Sequence, residues 1–84
     1  MSQEIVTVTF QAPKRKIDVD IELPVNITAN DLVIALNEGY NLEIDTSDIK
    51  NCYLKAERPI ALLRGNKSLK DLGVRNGTVV IFTE

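Results

Sequence analysis

Eighty-four residues suffice for one hydrophobic core and not for two, so 1–84 reads as a single domain. With 44% apolar and 26% charged residues the chain is not a disordered polymer, and a formal charge of −2 gives no bulk attraction for nucleic acid or anionic lipid. A single cysteine and no histidine exclude an internal disulfide, a multi-cysteine metal centre and the commonest general base, so neither metal nor cofactor is expected.

In chain order, "IVTVTF" alternates, with Val6, Val8 and Phe10 on one face and Thr7 and Thr9 on the other. That period of two predicts a half-buried strand. "KIDVDIEL" alternates more cleanly: Ile17, Val19, Ile21 and Leu23 against Asp18, Asp20 and Glu22. The "QAPKRK" between them carries a proline and a basic tip, which predicts an antiparallel hairpin with a solvated turn. The acids of the second strand read as guards of a sheet edge, since nothing places a substrate beside them.

A helix follows. Thr28 with Asp31 three residues on is a capping-box pattern, and Ile27 and Leu32 have the spacing of a hydrophobic staple. Leu32, Leu36 and Tyr40, with Val33 and Ala35, form an apolar stripe at helical spacing. Gly39 is expected to end the helix in the left-handed conformation.

"NLEIDTSDIKN" is a polar connection tethered by Leu42, Ile44 and Ile49. "CYLKA" alternates again, Cys52, Leu54 and Ala56 inward and Tyr53 and Lys55 outward. A turn at "ERP" leads to the short run "IALL", and Leu69 and Leu72 predict a single helical turn. "RNGT" is a turn with Gly77 free to take positive φ, and the chain closes on Val79, Val80, Ile81 and Phe82. That last strand, apolar at every position, is expected to be central and to pair with the first. The longest apolar run, "LVIAL", is far too short to cross a bilayer, and "MSQEIVTVTF" has neither the basic start nor the apolar block of a signal peptide. A cytoplasmic chain with no anchor of its own is the expectation.

A hairpin, a covering helix and a central last strand make an α+β layer pair. The hairpin, the capped "TANDLVIALNEGY" and above all the closing "SLKDLGVRNGTVVIF" make the chain resemble the ubiquitin-like β-grasp fold over nearly its whole length. The resemblance implies a mixed five-stranded sheet of order 2-1-5-3-4 with one helix packed across one face. Within that superfamily the chain looks most like the YukD/EsaB group of small bacterial ubiquitin-like proteins encoded with type VII (Esx) secretion systems. It shares their length, strand-first start, long polar connection after the helix and stop after the last strand. The resemblance implies an accessory or regulatory component of such a system, acting by protein–protein contact. Its implied partner is a cytoplasmic-side component of the secretion machinery, which would recruit it to the inner face of the membrane.

The alternative within the fold is a sulfur carrier or protein modifier, which needs a C-terminal Gly-Gly for adenylation and thioester chemistry. Here "IFTE" stands in that place, and Glu84 brings a charge and a Cβ where such chemistry admits neither. Neither "RGNKS" nor "RNGT" is a Walker loop, and Cys52, without a histidine, is a poor nucleophile and reads as core filler. No enzyme is expected. What remains is a surface: if Val79 and Ile81 face the helix, Val80 and Phe82 face outward. They would be flanked by Thr7, Thr9, Tyr53 and Lys55, an apolar centre with a polar rim. A one-residue error of register would exchange the two faces.

Overall fold

A computed structural model describes residues 4–83. Glu84, one of the residues named in the expectation against a sulfur carrier or modifier, lies outside the described residues, as do the first three positions. The elements are β1 (Ile5–Ala12), β2 (Ile17–Pro24), α1 (Ala29–Tyr40), β3 (Leu54–Glu57), β4 (Ala61–Leu63) and β5 (Val79–Ile81), with 3-10 turns at Pro13–Arg15 and Thr46–Asn51.

The sheet order is β2-β1-β5-β3-β4, the order implied by the resemblance. β1 pairs antiparallel with β2 and parallel with β5, and β3 pairs antiparallel with both β5 and β4. The alternation of β1 holds as expected: Val6, Val8, Phe10 and Ala12 are all buried. They join Leu54, Ala56 and Val80 from the other strands and Ala29, Leu32, Val33 and Leu36 from the helix in one core. The rings of Phe10 and Tyr40 meet at 5.1 Å, tilted by 46°, which pins the last turn of α1 to the sheet.

The helix start is fully satisfied. Thr28 Oγ1 accepts from Asp31 N at 3.1 Å, and Thr28 N donates to Asp31 Oδ2 at 3.2 Å, so the capping box is complete. The two N–H groups of Ala29 and Asn30 donate to the carbonyls of Lys67 and Gly65, and Leu32 N returns to Thr28 O. All four donors that a helix N-terminus leaves over thus have partners, and the loop after β4 is tied to the helix. Asn30 strengthens that tie, accepting from Gly65 N and donating to Asn66.

The helix end differs from the expectation. Gly39 remains helical, and Asn41 takes the left-handed position at φ 53°. Asparagine tolerates that region, so Gly39 is not needed there. Two side chains then hold the connection: Asn37 brackets Ile44, donating to its carbonyl at 3.1 Å and accepting from its N–H at 2.8 Å. Arg15, from the basic tip of the hairpin, donates to the carbonyls of Asn41 and Leu42 at 3.2 and 2.8 Å. The tip expected to be merely solvated therefore carries a structural arginine. Leu42 is buried and Ile44 and Ile49 half-buried, the three tethers expected.

At the other end, the turn before β5 is built into the sheet. Gly77, at φ +89°, donates to Thr7 O, and Asn76 Oδ1 accepts from Thr7 N at 2.8 Å. Thr9 N donates to Thr78 O and Phe82 N to Gln11 O, so contact along β1 extends beyond the three residues of β5 at both ends. Thr78 is wholly buried, its hydroxyl donating to Arg58 O at 2.8 Å and accepting from Arg75 N at 3.0 Å.

Candidate functional site

The register places β5 one residue away from the orientation expected of it. Phe10 lies opposite Val80 in the parallel pair, and Ala56 lies opposite Val80 in the antiparallel one. Cross-strand partners share a face, so Val80 points with Phe10 and Ala56 into the core, where it is 0% exposed. Val80 is therefore removed from the outward set. Phe82, two residues on, is half-buried and packs against the core at the end of the sheet. It sits beside Pro13 and Lys14 of the hairpin tip on one side and near Ile44 and Tyr53 on the other, rather than at the centre of the outer face.

Thr7, Thr9 and Lys55 do share the outward face, in three rows that run across the strands. One row reads Leu62, Lys55, Ile81, Gln11, Asp18, and the next Glu57, Val79, Thr9, Asp20, with Thr7 and Glu22 paired beyond them. Tyr53, two residues before Lys55, is 46% exposed. Thr9 is the least available of the four, half-buried with its hydroxyl donating to Asp20 Oδ1 at 3.0 Å. The centre of the face is supplied by Val79 and Ile81 instead of Val80 and Phe82. Beyond it, Leu62 is half exposed and Ile60 is 92% exposed. Ile60, Leu62, Ile81, Lys55 and Glu57 form most of the wall of an open groove of about 390 Å³ beside β4.

Ile60, Leu62 and Ile81 were not among the residues expected on this face. β5 is apolar at every position, so its pattern carries no alternation from which to read orientation, and β4 is only three residues long. On this face β2 presents Asp18, Asp20 and Glu22 with no cation, and β3 presents Lys55 and Glu57.

Cys52 lies away from this face. Its thiol donates to the carbonyls of Asp45 and Asp48 at 3.4 and 3.5 Å, and burial, helped by the charges of Asp48 and Asp45, pushes its pKa up. A buried thiol held in its protonated form is a packing group, not a nucleophile. Among the described residues, no group of histidine, cysteine and carboxylate side chains is placed to hold a metal ion, and no helix is long and apolar enough to cross a membrane.

A five-stranded sheet of this order under one capped helix defines a ubiquitin-like β-grasp protein. The C-terminal ubiquitin-like domain of mouse tubulin-specific chaperone e has the same fold, with a TM-score of 0.76 at 16% identity over 99% of this chain and 89% of that one. The ubiquitin-like domain of tubulin-binding cofactor B gives 0.75 at 22%, over 99% and 92%. The ubiquitin-like domain of the Mycobacterium tuberculosis type VII secretion system protein ECCD1 gives 0.55 at 21%, over 96% and 99%. At these identities the likenesses show the fold alone. No curated protein sequence matches the chain. The family is shown by residues 5–81, which match the model of YukD, a protein of the WXG100 protein secretion system (Wss): the chain belongs to the YukD family.

Proposed function

We propose that this chain is an accessory or regulatory component of a type VII (WXG100) secretion system that works by protein–protein contact through the outer face of its sheet, without catalysing a reaction. In this reading it is cytoplasmic, and a cytoplasmic-side component of the secretion machinery draws it to the inner face of the membrane. Family membership supports the system. The observation that supports contact is the pairing of exposed Leu62 and half-exposed Ile81 on either side of Lys55, with threonines, Gln11 and carboxylates around them. An apolar centre inside a polar rim is the anatomy of a docking surface.

The test is complementation of a strain lacking the gene. Ile81→Asp and Lys55→Glu are each expected to leave the protein folded and at its normal cellular level while secretion of a WXG100 substrate falls by about tenfold or more. Secretion at the wild-type level with both variants would refute the assignment of the outer face.

A further inference from the structure

Among the described residues the sheet ends in two unpaired edges, and they are guarded differently. β2 carries Asp18, Asp20 and Glu22 along its outward face, a row of like charge that resists pairing with a second strand. β4 reads Ala61, Leu62, Leu63 and bears no charge. The 390 Å³ groove runs along it, with Ile81, Lys55 and Glu57 on the sheet side and Ile60 and Leu62 on the edge side, and no strand of the sheet lies beyond. Ile60 is 92% exposed there. Leu63 is buried while Leu62 and Arg64 on either side of it are exposed, so Arg64 continues the outward row of β4. Neither Glu57 nor Arg64 makes an ion pair with another described residue.

We propose that two copies of the chain pair antiparallel along β4, about a two-fold axis at Leu62, and join their sheets into one. The proposal goes beyond the contact function and leaves the outer face of both copies open to a partner. Along β4, alternate N–H and C=O groups point away from β3 and are available to the second strand. A two-fold contact sets one patch against itself. In this register Leu62 meets Leu62 of the second copy, Ala61 meets Leu63, and Ile60 meets Arg64, so no like charges come together. The aliphatic stem of Arg64 from the second copy lies over Ile60 and supplies the wall that the groove lacks. Its guanidinium then points towards Glu57, two strand spacings or about 10 Å away between backbones, a gap the two long side chains close together. The axis repeats that pair, which gives both unpaired groups a partner of opposite charge. Exposed ion pairs add little affinity, so the apolar and backbone contacts hold the dimer and the charges fix its register. The acids of β2 stand at the two far ends of the joined sheet.

The test is sedimentation equilibrium of the full chain from about 10 µM to about 1 mM, with circular dichroism to check that each variant is folded. The wild type is expected to pass from monomer to dimer over that range, and amide hydrogen exchange at residues 61–63 should slow as it does. Leu62→Asp, which sets two carboxylates at the axis, should weaken the dimer by about tenfold or more. Arg64→Glu and Glu57→Arg, each alone, set like charges against one another and should weaken it by about tenfold. An equimolar mixture of those two variants should dimerise as the wild type does, because each supplies the charge that the other lacks. A chain that stays monomeric throughout would overturn the proposal and leave the contact function, which is read by secretion, standing. A dimer indifferent to Leu62→Asp, or a mixture no tighter than its two components, would overturn it as well.

Discussion

Phe10 on β1 and Val80 on β5 lie directly opposite one another in the parallel pair, and both are wholly shielded from solvent. That pairing decides which way the whole of β5 faces. It sends Val80 under the helix and leaves Val79 and Ile81 for the outer side.

The first prediction sets neighbours against each other. Val80→Ala removes two buried methyl groups and should cost about 2 kcal/mol, lowering the melting temperature by roughly 10 °C. Ile81→Ala should cost about 1 kcal/mol or less, because its side chain is only half-buried. Val80→Asp, which would place an unpaired carboxylate in the core, should not fold. Thermal denaturation measures all three, and equal losses for the two alanine variants would contradict the register.

The second concerns the helix start, where Thr28 and Asp31 each take the other's backbone N–H. Thr28→Ala should cost about 1 kcal/mol in urea denaturation. Because both bonds belong to one device, the Thr28→Ala, Asp31→Ala double variant should lose less than the two single losses added together. Strict additivity would show that the box does not act as a unit.

The third concerns Arg15, whose guanidinium reaches two carbonyls just past the helix end. Arg15→Lys keeps the charge and loses the planar fork, so a loss of about 1 to 2 kcal/mol is expected. Glu43→Gln should cost under about 0.5 kcal/mol, since that carboxylate lies 3.9 Å away and is well exposed. A loss for Glu43→Gln equal to that for Arg15→Lys would make the ion pair, not the carbonyl contacts, the stabilising interaction.

The fourth follows from the thiol of Cys52, whose pKa is raised in the folded chain by burial and by the charges of Asp48 and Asp45. Below the ordinary thiol pKa of about 8.5 both states hold the proton, and the contribution is fully present. As pH rises beyond that value, the unfolded chain ionises first and stability falls. The urea midpoint of the wild type should therefore decline more steeply than that of Cys52→Ala between about pH 8 and about pH 10. Parallel curves would contradict a shielded thiol.

The parts legible in the sequence are those whose pattern has two sides. The hairpin alternates between apolar residues and threonines or acids, so the residue order alone separates its inward face from its outward one. The helix start is equally plain, because Thr28 and Asp31 are local partners. The helix end is not: Gly39 and Asn41 both tolerate the left-handed region, and the choice falls to Asn41, next to the carbonyls that Arg15 and Asn37 organise from elsewhere. The outer face is half legible. Thr7, Thr9, Tyr53 and Lys55 come from alternating segments and point as expected. Val80 and Phe82 come from an unbroken apolar run, in which only pairing with β1 and β3 fixes direction. Arg15 is hidden for a related reason, since its partners lie 26 and 27 residues away along the chain.

On the proposed function the outer sheet face, and not the helix face, meets the secretion machinery. A photoreactive amino acid placed at position 81, or on the far side of the molecule at the exposed position 34 of α1, tests this in living cells. A crosslink from position 81 to an identified component of the secretion system is expected, and none from position 34. A crosslink to such a component from position 34 alone, or equally from both, would contradict the claim.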